Sequence, residues 1–202
     1  MKKLVALLLA TAMMFTCVAC GGNGGDAGNN GGETKVEITD ANEVLTKVWD
    51  EYKVSAGEDM QFPIGGGNME TAVMDAPAKY DTTLEYAEDT LVMSYCIPVE
   101  SIAMTDDIAT MMNMMMANNF TSAAYHIADA ANVQTVVDGI KNTTLNNQWM
   151  CGMPEKLVIV TVGEDYVVSA FGNGAVIDAF KAALTTVYGD AAVVSVEESL
   201  AE

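Results

Sequence analysis

Cys20 is the residue with the clearest chemistry. It follows Ala19 and an apolar run from Leu4 to Val18, which itself follows Met1-Lys2-Lys3. A short basic start, an apolar stretch and a small residue before a cysteine make a secretory leader cut ahead of Cys20, whose thiol then takes a lipid. The apolar run is too short to span a bilayer comfortably, which disfavours a retained transmembrane helix. Residues 1–19 are therefore expected to be the leader, 20–34 the lipidated cysteine and its tether, and 35–202 the folded domain. The expected location is the extracytoplasmic face of the cell membrane, with membrane contact through Cys20.

Of the four cysteines, Cys17 would leave with the leader and Cys20 would be lipidated, which leaves Cys96 and Cys151. An exported pair can join as a disulfide, yet both stand beside apolar residues, as two buried thiols would. Spacing alone does not bring their Cα atoms within bonding range. His126 is the only histidine. Beside Cys96 or Cys151 it would form a dyad that activates a thiolate, and otherwise it is a structural or exposed histidine. No HExxH or CxxC spacing occurs, so no zinc site is expected.

The segment 111-MMNMMM-116 offers several thioethers within a short stretch. Copper(I) favours such soft ligands, but methionine is also an adaptable core filler, and the chain has fifteen. Gly65-Gly66-Gly67-Asn68 resembles a phosphate cradle only loosely: it fits neither GxxxxGK[ST] nor GxGxxG, and it reads as a loop. Carboxylate pairs at Glu58-Asp59, Glu88-Asp89 and Asp106-Asp107 have no EF-hand spacing, and solvation of the surface accounts for most of them. No catalytic residue, metal site or cofactor is assigned.

Composition narrows the class. The formal net charge is -19, with 28 acidic residues against 9 lysines and no arginine. Loss of Lys2 and Lys3 with the leader makes the balance more negative still. Nucleic acid is excluded as a partner, because nothing basic is present to neutralise phosphates. Docking on anionic lipid heads is disfavoured for the same reason. Half the residues are apolar, enough for one domain with a real core.

The elements that would position these residues begin after GGNGGDAGNNGG (21–32), a tether by composition. Asp40 and Glu43 form a capping-box pattern, and Val44, Leu45, Val48, Trp49 and Tyr52 mark one face of a helix over about 41–54. Residues 91–97 read as a strand stopped by Pro98. Ile108, Met111, Met112, Met115 and Met116 fall at helical spacing, which predicts an amphipathic helix. A strand at 122–128 and a helix from Val133 to about Asn146 follow. Leu157–Val162 and Tyr166–Phe171 form a hairpin across Gly163-Glu164-Asp165. Gly172-Asn173-Gly174 opens another helix, and Val193, Val194 and Val196 mark a last strand. This order predicts a single α+β domain: an antiparallel sheet with helices packed on one face.

The leader and tether, the capped first helix, and above all 122-SAAYHIADAANVQTVVDGIKN-142 with 156-KLVIVTVGEDYVVSAFG-172 resemble a family of uncharacterised lipoproteins of clostridial-type Gram-positive bacteria, domain of unknown function 4358. The resemblance implies a small α+β domain and brings no functional residues with it. The leading expectation is a lipid-anchored, non-catalytic binding or accessory module of the envelope, whose partner is a protein or a wall component. The alternatives are a copper-handling lipoprotein using Met111 to Met116, with or without Cys96 or Cys151, and an enzyme using Cys96 or Cys151 with His126.

Overall fold

The computed structural model describes residues 37–150 and 152–201. Cys20 and its tether lie outside the described residues, as does Cys151. The frame is an eight-stranded antiparallel sheet. Its strands are β1 (Ile64–Gly66), β2 (Val73–Met74), β3 (Ala78–Lys79), β4 (Thr105–Asn113), β5 (Phe120–Ile127), β6 (Lys156–Val162), β7 (Tyr166–Gly172) and β8 (Ala192–Ser199). Spatial order is β2-β1-β4-β5-β7-β6-β8, with β3 beside β1 on the same edge of β4. Among the described residues, five α-helices complete the single α+β domain: α1 (Ala41–Ser55), α2 (Ala87–Tyr95), α3 (Val99–Ile102), α4 (Val133–Leu145) and α5 (Gly174–Tyr188).

The helices cover both faces of the sheet, not one. α1 and α5 pack on Ala109, Met111, Phe120, Ala124, Val158 and Val168. On the opposite face, α2 and α4 pack on Ile108, Ala123, Tyr125, Ile159, Val167 and Phe171. The physical reason lies in the strands themselves. Successive side chains point to opposite faces, so a strand covered on both sides has no polar row and reads as a continuous apolar run. Every residue of β7 is buried, and so are seven of the eight in β5.

α1 forms where its cap demands. The Asp40 carboxylate accepts from Glu43 N at 2.7 Å, while the Glu43 carboxylate reaches back to Thr39 N at 2.8 Å, one residue earlier than in a standard capping box. An ion pair with Lys47, then the hydrogen bonds from Thr39, hold the Glu43 carboxyl down at about 2. The inward face presents Trp49 stacked on Tyr52, ring centroids 4.8 Å apart, and both meet Phe62 and Phe120.

Two elements differ from the sequence reading. Of the supposed strand at 91–97, residues 91–95 are the end of α2, where Ala87, Leu91 and Tyr95 recur every fourth residue and are the buried side chains, and Cys96 caps it. Glu88 and Asp89 in its first turn suit the positive end of a helix. The supposed methionine helix is β4 and the turn after it. Ile108 faces one layer of helices and Met111 the other, so burial on both sides erased the strand alternation and left a pattern that mimics helical spacing.

The triple glycine is part of the sheet. A Cβ on Gly66 would collide with the backbone of Ala78 and Thr110, so only glycine lets β1 and β3 share one edge of β4. Asn68 is buried, and its amide is spent on the backbone of Asp81, donating to O at 3.0 Å and accepting from N at 2.7 Å. That leaves a structural loop, with no open nest for a phosphate.

Candidate functional site

Two ends of the sheet gather the residues with chemistry. At the first, β4 begins, β5 ends and the β6–β7 turn closes. A bulge between Thr105 and Asp107 adds one residue to β4 and swings Asp106 toward His126 on β5. His126 Nδ1 bonds the Asp106 carboxylate, and Nε2 lies 3.4 Å from Asp165 Oδ2 in the turn. The ring also lies against Tyr166, centroids 4.8 Å apart. Burial disfavours the imidazolium and is the largest single influence, yet Asp106 and Asp165 together outweigh it, so the pKa of His126 stands above its usual value.

Asp107, beside this pair, closes the domain rather than serving a ligand. Its Oδ2 accepts from Ala41 N at 2.8 Å, at the start of α1, and its Oδ1 lies 2.6 Å from Lys79 Nζ on β3. A cleft of about 490 Å³ runs along this edge, lined by Lys79, Tyr80, Asp81, Asp106 and Asp107 among others. Both ring nitrogens of His126 face carboxylates on opposite sides, so the three groups do not converge on one point as metal ligands would. Among the described residues, no group of three or more His, Cys, Asp or Glu side chains is arranged around a metal position.

Cys96 is not part of this end. It caps α2 in the left-handed region (φ 57°) and is fully buried on the α2/α4 face, whereas His126 projects on the α1/α5 face. The structure thus separates the Cys96–His126 dyad by the thickness of the sheet. Burial pushes the Cys96 thiol up to about 11, against weaker help from Thr144 and Asn147. Its other expected partner, Cys151, lies outside the described residues, so the disulfide is not placed.

The second end is where β4 runs out. Register places Met74 of β2 and Met112 of β4 on either side of Gly65, and the Met114 sulfur lies over the space where Gly65 has no side chain. Asn113 is buried, and its Oδ1 accepts from Met115 N at 2.8 Å and Met116 N at 3.2 Å. That Asx turn throws both side chains outward: Met115 is 82% exposed and Met116 50%. Asn118 then donates to Met150 O at 2.9 Å and Gly152 O at 2.6 Å, which brings exposed Met150 and Met153 to the same end. Of the segment 111–116, only Met111 is fully buried.

The sequence reading named His126, Asp106 and the Met111–Met116 segment but missed their companions. Asp165 was legible only as a turn residue, and Lys79 carried no local signal. Met74, Met150 and Met153 were hidden in the general abundance of methionine. Glu58-Asp59 and Glu88-Asp89 lie apart on exposed turns of the surface. No protein-family model matches this chain, and neither a curated protein nor a solved structure is significantly similar to it. Among the described residues, no helix is long and apolar enough to cross a membrane.

Proposed function

We propose that this chain is a lipid-anchored, non-catalytic binding module of the cell envelope, held through Cys20 at the extracytoplasmic face and engaging an envelope protein or wall component. The observation that carries the reading is the methionine-rich end: a well-packed domain leaves large apolar side chains in water where its own strands stop. Exposed apolar groups gathered in one place mark interaction sites more often than scattered ones do. The leader-like start, and the resemblance of 122–142 and 156–172 to clostridial-type lipoproteins, support the placement at the membrane. Cross-linking on intact cells, with partners identified by mass spectrometry, tests it. A reproducible partner that disappears in a Cys20→Ala strain is expected; turnover of a wall-derived substrate by the purified protein, abolished by changing one acid, overturns it.

A copper(I) role is the second reading, favoured by the placing of Met74, Met112 and Met114 around Gly65. Thioethers suit that ion. A competition titration decides it: affinity lost on Met112→Leu/Met114→Leu supports copper, and equal affinity in parent and variant ends it.

A further inference from the structure

Thioethers have a chemistry that needs no partner chain. A two-electron oxidant converts methionine to its sulfoxide, which exchanges a flexible apolar group for a polar one. An oxidant in solution must reach the sulfur, and on that ground the methionines of β4 and its turn divide sharply. Met115 is 82% exposed and Met150 80%, and Met74, Met116 and Met153 are exposed as well. Met111, only four residues before Met115, is fully buried in the core beneath α1 and α5.

The exposed thioethers also hold nothing together. The turn that carries Met115 and Met116 is fixed from behind, by Asn113 Oδ1 accepting from both of their N–H groups. The segment that carries Met150 is tied through its backbone, where Asn118 donates to Met150 O and Gly152 O. Oxygen added to these sulfurs therefore breaks none of the bonds that shape this end. Elsewhere, oxidisable sulfur is withheld. Cys96 is fully buried, and its thiol is pushed up to about 11, so the reactive thiolate is scarce. A sulfoxide at Met111 would place an unpaired polar oxygen in the core, at a cost that the exposed sites do not bear.

We propose that the exposed thioethers of the methionine end are a modification site, which hypochlorous acid converts to sulfoxides, turning this surface from apolar to polar while the domain stays folded. At each sulfur one S–O bond forms as the O–Cl bond breaks. The sulfur gives up two electrons, the chlorine leaves with them as chloride, and the hydroxyl proton goes to water. The domain thus takes up several oxidant equivalents at a place on which its stability does not depend. Loss of an apolar contact with a partner is the functional consequence, and that consequence rests on the binding-module reading, whereas the chemistry does not.

The test uses the full chain in nanodiscs of saturated zwitterionic lipid, with methionine methyl groups labelled with carbon-13. Hypochlorous acid is added stepwise, the methyl signals follow each sulfur, and peptide mass mapping follows the cysteines, Cys151 included. Met93, exposed on α2, gives the reference for a single accessible thioether. Expected are sulfoxide signals at Met115 and Met150 no later than at Met93 and well before Met111, with Cys96 unmodified and the thermal unfolding midpoint unchanged. Met115→Leu/Met116→Leu, which stays apolar but has no sulfur there, should take up two fewer oxygen atoms by intact mass once the exposed sites are saturated. Oxidation of Met111 or Cys96 alongside the exposed sites overturns the proposal. So does oxidant consumed at Cys151 while Met115 and Met150 remain thioethers, a lag of both behind Met93, equal oxygen uptake by the variant, or a lowered midpoint. Failure here, with a cell-surface partner still captured through the Cys20-dependent cross-link, removes the modification and leaves the binding module standing. The expected oxidation with no partner captured does the reverse.

Discussion

The two ends of β4 are built on opposite principles. At the Asp107 end, charged groups are spent inside the molecule: Asp107 on Ala41 N and Lys79, Asp106 and Asp165 on His126. At the Asn113 end, the buried amide is spent on the turn, and the apolar side chains of that turn are left in water. The first end therefore contributes to stability and leaves its charges few tasks with a ligand. The second contributes little to stability and is open to one. A region whose polar groups are already satisfied is structural even when it is rich in histidine and carboxylate. A region that leaves apolar surface unsatisfied is the better place to look for binding.

The contrast is sharpest at the base of the methionine end, where Phe120 is fully buried against Trp49, Tyr52, Phe62 and Phe180. Phe120→Ala is expected to cost about 3–5 kcal/mol in urea denaturation, by lost transfer energy and the cavity left behind. A loss no larger than that of an exposed site would show that the core does not run under this end as described. Next in size is Asp107→Ala, which strands the Ala41 N–H and the Lys79 ammonium together. It should cost about 1–3 kcal/mol by the same measurement, and a neutral outcome would deny the closing role given to Asp107.

His126 supplies a smaller effect with a definite sign. Its pKa is raised in the folded state, so the folded protein binds the extra proton more readily than the unfolded chain. The resulting stabilisation is fully present below the unfolded value of about 6.5 and is lost as pH rises through the higher folded value. Melting temperature followed across that window should fall more steeply in the parent than in His126→Gln. Parallel curves would mean that the carboxylate clamp does not form in solution. Smallest of all is Met115→Ser, expected within about 0.5 kcal/mol of the parent in denaturation. A larger destabilisation would mean that the side chain is packed rather than available, and the contrast between the ends would collapse.

Legibility followed how each residue is covered. α1 was readable because one face is buried and the other wet, so Val44, Leu45, Val48, Trp49 and Tyr52 stand out at their spacing. The β6–β7 hairpin was readable because Gly163-Glu164-Asp165 punctuates two runs of strand-forming residues. β4 was not readable, because burial on both faces removed its alternation. α2 was not readable because its apolar residues from Leu91 run straight on into Cys96 and Ile97 beyond its end, and together they pass for a strand. At the site, Asp106 and His126 could be named from the sequence but not joined, since a bulge brings them together and bulges have no reliable local code.

The amino-acid sequence by itself determined the acidic balance, the scarcity of basic residues, the helix caps and the turns. These depend on residue type and on neighbours a few positions away. Tertiary structure alone decided that helices cover both faces, that Cys96 and His126 stand on opposite sides of the sheet, and that methionines from three separate segments meet at one end. The physical reason is that burial and strand register are properties of residues far apart in the chain. A strand's pattern reports how many of its faces are covered, and only the assembled layers set that number.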